Sequence, residues 1–412
     1  MPTVVLIGTL DTKGREYAFV RDRLREAGIE PLLVDFGVLG EPPFTPDVSA
    51  REIARLGGAE LEALRFEREG SETRAQALAV MGRGAAAQLR RLHEDGRCDG
   101  VLGLAGSGGS AVIAEAMRAL PIGVPKLLVS TMIATSAADY VGTRDLCLLY
   151  PVTDIAGLNR VSRTILANAA GAIAGMAAAR SGSIVADRPL VALTMMGVTT
   201  PCVLRVQEGL ERAGFETIVF HAVGTGGRAM EEMLREGTID GVCDITTHEL
   251  ADHELGGIFG AGPERLAVAG QLGLPFVAVP GALEFVNFGP RTSVPTSLDV
   301  PARRIVVHNP SVCAVRLDSE EAMRLGRVFA ERVNAAVGPV TVVLPLGGCS
   351  GYERAHGPFV DPEADAALFA AIRSGLRADV EVREVDANVN DPPAADAILE
   401  AFLEAWGCRV QR

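Results

Sequence analysis

The sequence predicts an α/β protein made of two Rossmann-like domains with mostly parallel sheets, related by an ancient duplication. Three observations carry that reading. Val20–Asp35 (V-R-D-R-L-R-E-A-G-I-E-P-L-L-V-D) and Val206–His221 (V-Q-E-G-L-E-R-A-G-F-E-T-I-V-F-H) are the same unit, an amphipathic helix that ends on a glycine suited to a left-handed cap and feeds a short apolar strand. Arg97–Leu104 (R-C-D-G-V-L-G-L) and Thr238–Ile245 (T-I-D-G-V-C-D-I) form a second matching pair. Strands also alternate with helical patterns along all 412 residues, as crossover connections require, and that length exceeds what one core usually supports.

In the first half, short aliphatic runs predict strands near Thr3–Ile7, Pro31–Val34, Gly100–Leu104 and Lys126–Ser130. Helical periodicity marks Arg15–Ala27, Glu72–Glu94, Ser110–Leu120 and Ile155–Arg180. The last of these is rich in Ala and Gly, which suits close helix packing and contributes little to membrane insertion. Ser181–Pro189 is small, polar and turn-rich, so the boundary is expected there: an N-terminal nucleotide-binding domain over residues 1–183 and a C-terminal domain over 184–412. The second half offers strands near Leu190–Met195, Thr217–His221, Gly241–Ile245, Phe276–Val279, Arg304–His308, Thr341–Leu346 and Val380–Val385. Its helices fall near Cys202–Ala213, Arg228–Glu236, Ser319–Ala336, Ala364–Gly375 and Ala394–Trp406.

A formal net charge of -13 argues against nucleic acid as the main partner, because a phosphate backbone needs a positive footprint. The seven cysteines are scattered without C-x-x-C spacing, which indicates neither a disulfide framework nor a zinc ribbon. They read as small buried hydrophobes in a reducing compartment. The N-terminal M-P-T-V-V-L-I-G-T enters a strand directly, and no run reaches ~18 strongly apolar residues. A cytoplasmic protein with no membrane partner is the expectation.

In open α/β sheets ligands bind beyond the carboxyl ends of the strands, so the residues after each strand matter most. The first strand is followed by G-T-L-D-T-K-G (Gly8–Gly14), with hydroxyls on Thr9 and Thr12, a carboxylate on Asp11 and a cation on Lys13. The third is followed by A-G-S-G-G-S (Ala105–Ser110). Each opens a helix, whose N-terminal dipole and free amides favour an anion. With Asp35 ending the second strand, where a ribose-binding acid often sits, the pair points to a nucleotide. Either loop alone also serves as a tight turn, and a strand-end Asp also caps turns. Ala105–Gly109 approximates a G-x-S-x-G elbow with Ser107 as nucleophile, a less favoured hydrolase reading. Gly347–Gly351 (G-G-C-S-G) imitates a cysteine elbow, but no helical pattern follows, and a glycine-rich turn is expected.

Four of six histidines, His221, His248, His253 and His308, fall at strand ends or loops of the second half. T-T-H-E-L-A-D-H-E-L-G-G (Thr246–Gly257) is not an H-E-x-x-H site, since a histidine five residues on turns roughly 140° away on a helix. Glu249 shares a helix face with Asp252 or His253 and suits acid/base work or Mg²⁺ binding, although a charged helix turn in water has the same pattern. His308 follows a strand directly, beside Asn309. Asp386–Pro392 (D-A-N-V-N-D-P) is either turn chemistry or a polar lining.

Taken together, G-T-L-D-T-K-G, G-S-G-G-S, M-M-G-V-T-T-P, F-H-A-V-G-T-G-G, D-I-T-T-H-E-L-A-D, V-P-G-A-L-E-F-V-N-F-G-P and H-N-P resemble the Tm-one-like ATP-binding domain family over nearly the whole chain. The resemblance implies two Rossmann-like domains, ATP held mainly by the N-terminal one, and dimerisation. It assigns nucleotide contacts to Thr9, Asp11, Thr12 and Lys13, and to Gly106, Ser107, Gly108, Gly109 and Ser110. The chain departs from the family where Asn388-Val389-Asn390-Asp391 replaces H-I-N-D, removing that histidine, and where Arg316-Leu317 replaces an Arg-Thr pair. The expectation is an ATP-binding metabolic enzyme acting on a small acidic or hydroxylated substrate in the interdomain cleft. Glu249, His308 and His221 are its acid/base candidates, and Asp11 or Asp252 its Mg²⁺ ligands. Alternatives are a nucleotide-dependent regulatory protein without catalysis, or a nucleotide-independent enzyme cleaving carbon-carbon or ester bonds.

Overall fold

Each half of the chain buries a sheet between two helical layers, which is what continuous apolar strands require. A computed structural model describes residues 1–65, 72–179 and 188–410, and divides into units Met1–Ile184 and Val185–Arg412. Most of the expected boundary stretch, Ser181–Pro189, lies outside the described residues.

Unit 1 contains β1 (Thr3–Gly8), α1 (Leu10–Glu26), β2 (Glu30–Asp35), α2 (Ala50–Leu56), α3 (Glu72–Glu94), β3 (Gly100–Ala105), α4 (Ser107–Arg118), β4 (Lys126–Ser130), α5 (Ile133–Val141), β5 (Cys147–Leu149) and α6 (Arg160–Ala179). Its strands pair in parallel in the order β2-β1-β3-β4-β5. Strand alternation sorts the core into two faces. Val4, Leu6, Leu102 and Val129 meet Tyr17 and Val20 of α1 and Leu166 and Ile173 of α6, while Val5, Ile7, Val101 and Leu128 meet α3 and α4. The Ala-rich α6 starts later than expected, at Arg160, because the Asn159 side chain caps it through the Val161 and Ser162 amides. Among the described residues no helix is long and apolar enough to cross a membrane.

Unit 2 contains β6 (Leu190–Met195), α7 (Thr200–Arg212), β7 (Glu216–His221), α8 (Thr225–Arg235), β8 (Gly241–Thr246), α9 (Glu249–Leu255), α10 (Val268–Gln271), β9 (Phe276–Gly281), β10 (Phe285–Phe288), β11 (Ile305–Asn309), β12 (Val312–Arg316), α11 (Ser319–Val333), β13 (Val340–Pro345), α12 (Pro362–Gly375), β14 (Glu381–Val385) and α13 (Pro392–Val410). The main sheet is parallel, β14-β13-β9-β8-β6-β7. Counted within the unit, this is the unit 1 order with one strand added. The strand expected at Arg304–His308 does form, as β11, but in a separate antiparallel sheet, β10-β12-β11.

Both sheets are opened at the same place. In unit 1 the β1/β3 ladder ends at Ile7 and Gly103, and the Tyr17 hydroxyl then enters, donating to the Ile7 carbonyl (2.5 Å) and accepting from the Leu104 amide (2.7 Å). A Cβ on Gly8 would lie 2.0 Å from that oxygen, so only glycine fits there. In unit 2 the β6/β8 ladder ends at Leu193 and Cys243, and the Thr194 hydroxyl accepts from the Thr246 amide (2.9 Å).

Candidate functional sites

At β1 and β3 the chain leaves to opposite faces of the sheet, since α1 packs on one core and α4 on the other. That is the topological switch point of this strand order, where a crevice is expected. A cavity of about 290 Å³ lies there, lined by Thr9, Asp11, Thr12 and Lys13 after β1, Phe36 and Leu39 after β2, Gly106–Gly109 after β3, and Arg74, Leu78 and Met81 of α3. A second hollow of about 460 Å³ meets it at Lys13, Gly106 and Ser107 and adds Thr131, Tyr150, Thr153 and Asp154. One lobe is largely apolar and the other largely polar.

The loops are helix N-termini. α4 begins at Ser107 without a side-chain cap, and its first intrahelical bond runs from the Ser110 amide to the Gly106 carbonyl (3.0 Å). The amides of Ser107, Gly108 and Gly109 therefore have no intrahelical acceptor and sit at the positive end of the dipole. A Cβ on Gly106 would meet only Thr131 Oγ1, at 3.9 Å, which leaves that backbone open to a ligand. Thr9 and Thr12 join through their hydroxyls (2.9 Å), and Lys13 donates to the Ile155 carbonyl (2.6 Å) from the wall between the lobes.

Two predicted contacts, Asp35 and Ser110, are occupied elsewhere, and a third, Asp11, lines the cavity while also holding a neighbouring loop. Asp35 is buried and does not line the cavity; its Oδ1 accepts from the Leu10 and Gly37 amides (2.9 Å each), and burial pushes its carboxyl up to about 6. Ser110 is buried between the Gly106 carbonyl and the Ser130 hydroxyl (2.7 Å each). Asp11 Oδ2 accepts from the Leu39 and Gly40 amides (2.9 and 3.1 Å), while Oδ1 is buried against Gly37. Asp11 thus lines the crevice and also holds the loop after β2, with both oxygens turned toward that loop.

Unit 2 carries a cavity of about 410 Å³ beyond the ends of β6 and β7, walled by the small antiparallel sheet. His221 and His308 both line it, with Asn287, Asn309, Phe285 and Tyr352. His308 Nδ1 lies 3.4 Å from the Tyr352 hydroxyl. Asn287 donates to the Cys313 carbonyl, and its buried Oδ1 has no hydrogen-bond partner.

The acids singled out beside these histidines lie elsewhere. Glu249 is fully buried: Oε1 accepts from the Gly224 and Gly227 amides (2.6 and 3.0 Å), and Oε2 from Arg265 Nε (2.5 Å). Arg265, itself fully buried, also binds Asp244 through both terminal nitrogens and stands 3.6 Å from Glu231, whose carboxyl burial pushes up to about 7. Asp252 Oδ1 accepts from the Asn287 amide (2.7 Å) and Oδ2 from the Phe259 amide (2.7 Å). Its Oδ1 also faces His248 Nε2 at 3.2 Å; burial alone would lower the His248 pKa, but the carboxylate outweighs it and raises it. Glu249 and Asp252 therefore brace unit 2, and both Asp252 oxygens are turned to backbone amides rather than to the cavity. Tyr352, Arg74 and Tyr150 were not legible as site residues, because no local motif surrounds them, and Asn287 stood within V-P-G-A-L-E-F-V-N-F-G-P without being singled out.

Fold and crevices define a two-unit, doubly wound α/β protein with a ligand-sized hollow at the switch point of unit 1 and beside that of unit 2. The chain belongs to the uncharacterised protein family UPF0261, whose N-terminal domain matches residues 2–182 and whose C-terminal domain matches residues 188–406. A UPF0261 protein of Clostridium tetani is 39% identical over 97% of this chain and 98% of its own length. The ToMV resistance protein Tm-1(GCR237) of Solanum lycopersicum is 35% identical over 98% of this chain, which spans 56% of that longer protein. Among solved structures, a Streptomyces glycosyltransferase complexed with thymidine diphosphate is 16% identical over 68% of this chain and 82% of its own, with a TM-score of 0.19, a likeness too slight to argue from.

Proposed function

We propose that this protein is an ATP-binding metabolic enzyme that takes nucleotide at the unit 1 crevice and a small hydroxylated or acidic substrate at the unit 2 cavity. The observation that carries the reading is the two-lobed crevice at the unit 1 switch point, with the uncapped amides of Ser107–Gly109 and Lys13 where its lobes meet. Phosphates suit the amides and the polar lobe, and the adenine ring suits the apolar lobe of Phe36, Leu78 and Met81. In unit 2, His221 and His308 face one cavity and can take up and return a proton, while the unpaired Asn287 Oδ1 accepts from a substrate hydroxyl. The reading includes a homodimer and a cytoplasmic location, the latter in keeping with the buried free thiols of Cys98, Cys202 and Cys243.

Ligand that binds only the folded state raises stability by about 2.7 kcal/mol at a hundredfold excess over Kd. Millimolar ATP is expected to raise the melting temperature of the wild type, and Lys13→Ala and Gly108→Val to abolish the rise. No rise in the wild type, or the same rise in both variants, would end the nucleotide reading. Turnover of ATP with a panel of sugar acids and keto acids tests catalysis; loss of turnover in His221→Ala and His308→Ala, with the ATP shift intact, is the expected result.

A further inference from the structure

Behind the glycine turn that follows β13, three carboxylates share one cation. Arg316 Nη2 contacts Glu353 Oε1 (2.8 Å) and Asp365, while its Nε and Nη1 donate to the carbonyls of Phe359 and Glu284 (2.8 Å each). Glu353 Oε2 accepts from the Cys349 amide (2.6 Å). The Glu284 carboxylate is fully buried and feels Arg316 only through space; Ser350 is its nearby hydroxyl, and neither carboxylate oxygen has a hydrogen-bond partner of good geometry. Three carboxylates against one guanidinium leave a formal surplus of two negative charges. Asp365 is partly exposed, but a surplus centred on the two buried carboxylates of Glu284 and Glu353 must be neutralised by protons or by a cation.

The geometry favours a cation. The Sγ of Cys349 and an oxygen from each of Glu284 and Glu353 all lie within 4.8 Å of one another, and all three residues are buried. They come from three places: the turn after β9, the loop after β13, and the single helical turn Gly351–Glu353. Ala282 donates its amide to the Cys349 carbonyl (2.9 Å), which ties the first two together. Protons alone need no thiol aimed at the same point. We propose that Glu284, Cys349 and Glu353 form a binding site for one divalent transition-metal ion of the Zn²⁺ class. Tetrahedral Zn²⁺ places its ligands about 3.6 Å apart, so the side chains need close by no more than roughly an ångström on binding. The thiolate selects Zn²⁺ over Mg²⁺ or Ca²⁺, which prefer oxygen alone. Binding releases the thiol proton, and the dication brings the surplus charge from two to one. The site is independent of the nucleotide and of catalysis, although Phe285 and Tyr352, the chain neighbours of Glu284 and Glu353, line the unit 2 cavity.

The test uses the full chain, stripped with a chelator and titrated with Zn²⁺ by calorimetry, then with Co²⁺ by absorption spectroscopy. One equivalent of Zn²⁺ per chain is expected, with proton release and a thiolate-to-cobalt charge-transfer band. Cys349→Ser should remove that band, and Cys349→Ser and Glu284→Gln should each weaken Zn²⁺ at least tenfold, while Cys147→Ser and Cys408→Ser change neither. Absence of the band in the wild type overturns the proposal without any variant having to fold. Zn²⁺ affinity that survives in folded Glu284→Gln overturns it as well and assigns the neutralisation to protons.

Discussion

The two units wind their sheets in the same local order, and Asp35 and His221 occupy the same rung of that order, paired with Gly8 and Met195 at the last position of the β1/β2 and β6/β7 ladders. They do opposite things there. Asp35 turns inward and closes two backbone amides, whereas His221 is exposed and lines a cavity. Unit 1 thus spends its strand-end acid on the scaffold and presents backbone amides to the crevice. Unit 2 keeps the imidazoles of His221 and His308 at the surface and hides Asp244 and Glu249 around Arg265. Shared topology fixes where a crevice lies; which groups the scaffold has already claimed determines what the crevice can bind.

The strongest challenge to that contrast is Arg265→Met, which leaves Asp244 and Glu249 buried without their cation. A loss of about 3–5 kcal/mol is expected in unit 2, read by hydrogen exchange of its amides in urea, with unit 1 unchanged. Equal losses in both units would break the comparison. Asp35→Asn comes next. With a folded pKa raised from 3.8 to about 6, the stability that neutral Asp35 confers is present below the lower value and is lost as pH rises through the higher. By about pH 7 the penalty is up to ~3 kcal/mol. The variant keeps Oδ1 as acceptor, so its urea midpoint should fall less than that of the wild type between about pH 4 and 7, while His221→Asn follows the wild type. Gly108→Val is expected to weaken ATP by at least about tenfold, or ~1.4 kcal/mol, by calorimetry, and His308→Ala to leave it unchanged. Ser110→Ala is the mildest: a loss of about 1 kcal/mol in unit 1 stability with ATP affinity retained separates a supporting hydroxyl from a lining one.

Most strands and helices were legible because apolar periodicity is local, and all the strands expected for the two parallel sheets lie within a residue or two of their observed ends. The starts of α1 and α4 were read several residues late, since Thr-, Ser- and Gly-rich segments look like loops even when they are the first helical turn. The small antiparallel sheet was illegible as a unit: β10 and β12 are short and pair across irregular chain. Glu249 and Asp252 were conspicuous for the right reason and assigned the wrong work. Spacing shows which side chains share a helix face, but not that Arg265 closes over Glu249 from sixteen residues away, or that Phe259 and Asn287 bring their amides to Asp252. Glycines likewise do work that their sequence context does not show. Gly227 makes room for a carboxylate, since its Cβ would lie 2.2 Å from Glu249 Oε2, whereas Gly106 faces open space.

The Tyr17 hydroxyl has a thermodynamic consequence for binding. By taking the next hydrogen bonds of the β1/β3 ladder, it holds the strands apart before any ligand arrives, and it is locked in by a position where no side chain fits. A ligand entering the crevice therefore incurs no free energy of strand separation and little ordering of the backbone it meets. Its affinity should report the contacts it makes, and Tyr17→Phe should weaken binding through a narrowed entrance although residue 17 touches no ligand.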